Sequence, residues 1–117
     1  MKQLLIYFFL LSIIYSCSTH KVTTVKIINK NNYPVSVTVK TINIKQTFKD
    51  IKPGEEIKGI YDWTEIKKED GQWIVIVQNL NNQSIDSFSH GIIRSGELSS
   101  FLDIETMGRQ LTINVSE

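Results

Sequence analysis

The stretch Val35-Ser36-Val37-Thr38-Val39-Lys40 alternates apolar and polar side chains without a break. Successive residues of an extended chain point to opposite faces, so residues 35–40 read as a strand with one buried and one wet face. A second stretch, Trp73-Ile74-Val75-Ile76-Val77, is apolar at every position. That pattern belongs to a central strand covered on both sides, or to one packed beneath a neighbouring loop. Composition agrees with both readings. The 18 Ile, 8 Val and 9 Thr make 35 of 117 residues β-branched, and alanine, the best helix former, is absent.

Working outward from these two stretches, Val22 to Asn29 alternates Val25 and Ile27 against Thr24 and Lys26, a further strand. Lys30-Asn31-Asn32-Tyr33-Pro34 is turn chemistry, because Asn tolerates left-handed dihedrals and Pro fixes φ. The parity of 35–40 slips at Thr41-Ile42-Asn43-Ile44, where a bulge or a strand exchange would rotate the apolar set back onto the core. A strand near Gln46 to Ile51 leads into the tight turn Lys52-Pro53-Gly54-Glu55. Ile57, Gly59, Tyr61 and Trp63 then share one face of the next strand. Thr64 to Gln72 is a charged connection with Asp70-Gly71 as a hairpin signal. Strands are also expected over Ile85 to Ile93, Leu98 to Ile104 and Leu111 to Val115, separated by polar or Gly-containing turns. The fold class is therefore all-β. The expected domain, residues 22–117, is a small antiparallel β-sandwich with an immunoglobulin-like or related Greek-key plan and seven to eight strands.

The amino terminus has a different character. Met1-Lys2-Gln3 supplies one positive charge, and Leu4 to Tyr15 reads LLIYFFLLSIIY, twelve residues without a charge. A bilayer-spanning helix needs roughly 20 apolar residues. A run of this length is instead that of a secretory signal's apolar core. It ends at Ile14-Tyr15-Ser16-Cys17, ahead of the polar Ser18-Thr19-His20-Lys21. This segment resembles the lipobox of bacterial lipoproteins, in which an aliphatic residue at −3 and a small one at −1 precede an obligatory cysteine. Ile14 and Ser16 match those positions, and Tyr15 at −2 departs from the usual small or aliphatic residue. The resemblance implies a signal peptide over 1–16, removed by lipoprotein signal peptidase, and a Cys17 carrying fatty acyl chains such as palmitate. Residues 17–21 then form the lipidated end and a short tether. A thiolate is the nucleophile that such lipidation requires. Cys17 is the sole cysteine, and an odd thiol in an oxidising compartment is a liability unless it is capped. From Cys17 onward there are 12 basic and 12 acidic residues. By resemblance to lipoprotein sorting, Ser18 rather than Asp after the cysteine implies the outer membrane.

Chemistry is hard to find in the rest of the chain. A formal net charge of +1 without a basic block lacks the electrostatic footprint of a nucleic-acid binder. His20 lies in the tether, His90 is isolated in a strand, and no ligand pair sits at zinc spacing, so neither a metal nor a cofactor is expected. Glu65, Glu69 and Asp70 share their loop with Lys67 and Lys68, which reads as a self-neutralised solvated loop rather than a calcium site. A triad drawn from Ser89, His90 and Asp86 or Asp103 suffers from geometry, because adjacent strand residues face opposite ways. The candidate binding residues are the aromatics Tyr61 and Trp63. Exposed, they would stack on a sugar or anchor a protein; their parity with Ile57 equally makes them core.

The expectation is a non-enzymatic, membrane-anchored lipoprotein of the cell envelope that binds or scaffolds another envelope protein. In architecture alone it resembles the sandwich lipoproteins that fasten envelope-spanning secretion machines. Two alternatives stand beside it: a lipoprotein that binds a glycan or small ligand through Tyr61 and Trp63, and an envelope inhibitor or immunity protein that presents the 64–72 loop.

Overall fold

Alternation in the sequence becomes alternation in burial. In the computed structural model, which describes residues 21–116, Val35, Val37 and Val39 are fully buried while Ser36, Thr38 and Lys40 occupy the opposite face. Eight strands follow one another along the chain: β1 (Val22–Asn29), β2 (Val35–Thr41), β3 (Ile44–Ile51), β4 (Glu56–Asp62), β5 (Gly71–Asn79), β6 (Ile85–Ile93), β7 (Phe101–Met107) and β8 (Gln110–Ser116). They form two four-stranded sheets, ordered β4-β1-β7-β8 and β3-β2-β5-β6. The small β-sandwich expected from the sequence is what the chain adopts. The segment with the lipobox-like residues Ile14, Ser16 and Cys17 lies outside the described residues.

The hairpins β2–β3, β5–β6 and β7–β8 each stay within one sheet, and the other four connections cross between sheets. Every neighbouring pair is antiparallel except β1 and β7, which run parallel with Val25 opposite Leu102 and Ile27 opposite Ile104. Between the sheets Val25, Ile27, Tyr61, Leu102 and Ile104 meet Val35, Val37, Val39, Ile51, Trp73, Val75 and Val77. Fully burying each such side chain contributes roughly 1.5–3 kcal/mol, and this layer is the source of the domain's stability.

Three local expectations need correction. The parity slip at Thr41–Ile44 is neither a bulge nor a strand exchange: Thr41 pairs directly with Ile44 around a two-residue hairpin loop. Ile42 takes φ of 50° there, an unusual conformation for a β-branched residue, and its side chain packs against the core. Asp70-Gly71 makes no hairpin; residues 63–70 carry the chain from one sheet to the other, and Gly71 opens β5. Finally, the apolar run 73–77 is buried on one face only. Trp73, Val75 and Val77 enter the core, while Ile74 and Ile76 stay partly exposed on the outer face. Their apolarity reflects a central strand, flanked by β2 and β6, rather than a second covering layer.

The strand directions sort the loops. At one end lie Lys21, the β2–β3 turn and the 63–70 and 94–100 connections; at the other lie residues 30–34, 52–55, 80–84 and 108–109.

Candidate functional site

The two aromatics singled out by sequence part company. Tyr61 is fully buried, its hydroxyl donates to the Ile44 carbonyl at 2.6 Å, and its ring meets Trp73 edge-on at 5.4 Å. Burial pushes its phenol up to about 12, with a backbone hydrogen bond to Thr41 pulling the other way. Of the two readings the sequence leaves for Tyr61, core and stacking platform, the structure takes the first: a ring with no exposed face cannot receive a sugar. Trp63 lies just beyond β4 and is half-buried. Its backbone N–H donates to the Lys21 carbonyl at 2.9 Å, and the Lys21 ammonium sits 5.6 Å from its ring centroid. The Trp63 indole Nε1 is buried without a hydrogen-bond partner among the described residues.

The conceivable triad is dispersed. Ser89 pairs with Ile74 on the outer face of its sheet, whereas His90 pairs with Trp73 on the inner face. Asp103 lies on the other sheet, on the face opposite the buried Leu102 and Ile104. The 63–70 loop is bonded to the neighbouring 94–100 connection. The Asp70 carboxylate accepts from Ser95 N–H at 2.9 Å, and the Glu69 carbonyl accepts from Gly96 N–H at 2.9 Å. Asn43, at the tip of the β2–β3 hairpin, adds two bonds, accepting from Lys67 N–H at 2.9 Å and donating to the Glu65 carbonyl at 3.2 Å. The three connections at this end are thus stitched into one surface.

At the opposite end a buried polar cluster locks the turns. Asn29, fully buried, donates to the carbonyls of Tyr33 and Ile51, both at 2.9 Å, and accepts from the Asn31 backbone and side-chain N–H groups at 2.9 Å. Asn31 reaches on to Thr106 and accepts from Gly108 N–H. Every group in this cluster is partnered, so it rigidifies the far loops rather than waiting for a ligand.

Among the described residues, one side of the sandwich remains open, between the edges of β6 and β8. A cleft of about 150 Å³ there is lined by Trp73, His90, Ile93, Glu97, Ser99 and Val115. Along β8 the inward residues Leu111 and Ile113 are half-buried and Val115 is 41% exposed. Sequence reading missed this feature. The signal was present in Gln110-Leu111-Thr112-Ile113-Asn114-Val115-Ser116, which alternates without a single charge, but only strand order reveals that such a strand stands at an edge. No group of three or more His, Cys, Asp or Glu able to hold a metal occurs among the described residues. No protein-family model, curated protein or solved structure matches the chain.

Proposed function

We propose that this protein is a lipid-anchored lipoprotein of the bacterial envelope, on the outer membrane, whose β-sandwich is a non-enzymatic docking module for another envelope protein. The observation that carries the reading is the shortness of the link between the lipobox-like cysteine and the fold. β1 begins at Val22, and Lys21 is already bound to Trp63 through its carbonyl. Four residues separate Cys17 from that strand, a reach of only about 14 Å. An acylated Cys17 would hold the Lys21 end of the sandwich against the bilayer, and the rigid loops of the far end would face the compartment. Two or three acyl chains, at about 0.8 kcal/mol per buried methylene, make such an anchor stable where a single chain gives only marginal binding.

Metabolic labelling with a fatty acid tests the anchor. The wild-type chain is expected to take up label and to fractionate with membranes, and Cys17→Ser to do neither; label retained by the variant would overturn the reading. Co-purification from solubilised envelopes tests the docking role, with one envelope protein enriched with the wild-type chain as the expected result. The glycan alternative is weakened by the burial of Tyr61, which leaves Trp63 without its companion.

A further inference from the structure

We infer that β8 is a strand-addition edge, built to receive an extended, uncharged segment of the envelope partner that is apolar at alternate positions. The inference rests on the docking role proposed above for the existence of a partner, and adds where and how it binds.

A two-sheet sandwich has four edge strands, and an unpaired edge invites pairing with any extended chain unless something prevents it. Three of the edges carry such devices. β3 presents Lys45 and Lys49, and its pairing with β2 is broken by a bulge where Asp50 adopts φ of 54°. β4 carries Glu56, Lys58 and Asp62. β6 places Asp86 on the core-facing side, opposite Val77, and is bulged where Gly91 takes φ of 69°. β8 has none of these. Its seven residues pair with β7 in unbroken register, and none is charged, proline or glycine.

The side chains point to the same occupant. An added strand lies on the side of Leu111, Ile113 and Val115 that the sandwich leaves uncovered, and its own apolar residues, two apart, would complete that layer. The cleft beside Val115, at about 150 Å³, has room for one side chain of such a segment. A second folded copy is the poorer fit. Two sandwiches joined only through β8 would meet along its seven residues alone, whereas a stable interface between folded partners buries roughly 1,200 Å² or more. An extended segment paired with β8 lays its apolar side chains beside Leu111, Ile113 and Val115 and reaches the cleft that Val115 shares with His90.

Site-specific photo-cross-linking of the full chain in intact cells tests this. A benzophenone side chain is placed in turn at Gln110, Thr112 and Asn114 of β8, and at Lys49, Lys58, Ser87 and Asn82 for comparison. The expected result is that the three β8 positions capture one partner, and that the attachment points in that partner advance by two residues along a single segment. Val115→Lys, at a position already exposed, and Thr112→Lys, which leaves the core untouched, should each cut the yield about tenfold while the thermal melt is retained. Adducts consisting of a second copy, or yields at β3, β4 and β6 equal to those at β8, would overturn the assignment. Adducts from other positions with none from β8 would overturn it while leaving the docking role standing; no adduct from any position would overturn both. Fatty-acid label on Cys17, read in the same samples, reports separately on the anchor.

Discussion

At the scale of single residues, burial and hydrogen bonding decide roles that residue type leaves open. Tyr61 shares parity with Ile57, and that parity, read from the sequence alone, already allowed it to be core; what was invisible was its hydroxyl's partner, the carbonyl of Ile44 on the facing sheet. Burial makes Tyr61 a source of alkaline sensitivity. Its phenol stays protonated in the folded chain up to about pH 12, whereas an exposed phenol loses its proton near 10.0. Its contribution is complete below pH 10 and is lost as pH rises toward 12. Chemical denaturation across that window should show the wild-type chain weakening relative to Tyr61→Phe, and a constant difference between the two would contradict the assignment. Asn29 was legible only as a strand residue before a turn. Nothing in its neighbours announces that one amide satisfies two carbonyls and two N–H groups at once. Truncation in Asn29→Ala strands buried polar groups, each costing about 1–3 kcal/mol, so a loss of about 3 kcal/mol is expected in urea titrations.

At the scale of elements, strands were easier to read than their connections. Period-two alternation marked β1 and β2 to within a residue because each has one face in the core and one outside it. The β2–β3 turn escaped because Ile42 violates turn chemistry. An isoleucine with positive φ contradicts local preference, and here its half-buried side chain packs against the core. The 63–70 crossing was mistaken for a hairpin for a related reason: Asp70-Gly71 has hairpin chemistry, yet Asp70 spends its carboxylate on the 94–100 connection. That junction makes a specific demand on Gly96. It has φ of 68°, and a Cβ at this position would lie 2.6 Å from the Lys67 carbonyl oxygen. Neither strain nor clash can be relieved by a side-chain rotation, because the obstacle is backbone. Gly96→Ala should therefore cost at least about 2 kcal/mol and accelerate hydrogen exchange in residues 63–70 as well as 94–100. Gly108→Ala is the comparison, since open space surrounds a Cβ there.

At the scale of the molecule, the sandwich was legible and its wiring was not. Alternation tells which residues face inward but not which strand lies beside which, so the uncharged run of β8 could not be read as an edge, and the parallel union of β1 with β7 had no signature to read. Thr23 and Ser99, 76 positions apart, are joined by a 2.6 Å hydrogen bond at that union. Since β1 lies between β4 and β7, removal of β7 and β8 opens one whole flank of the core. A chain ending at Ser100 should show no cooperative thermal transition, and a sigmoidal melt from it would contradict this dependence.

The same union sets a clock. The strand that emerges first from the ribosome must wait for almost the last one before its sheet can close, and pairings this distant form slowly. Until residues 101–107 arrive, the nascent polypeptide has no complete hydrophobic layer to collapse onto. It stays a loose thread through most of its synthesis, and becomes a finished object only when its penultimate strand has docked beside its first.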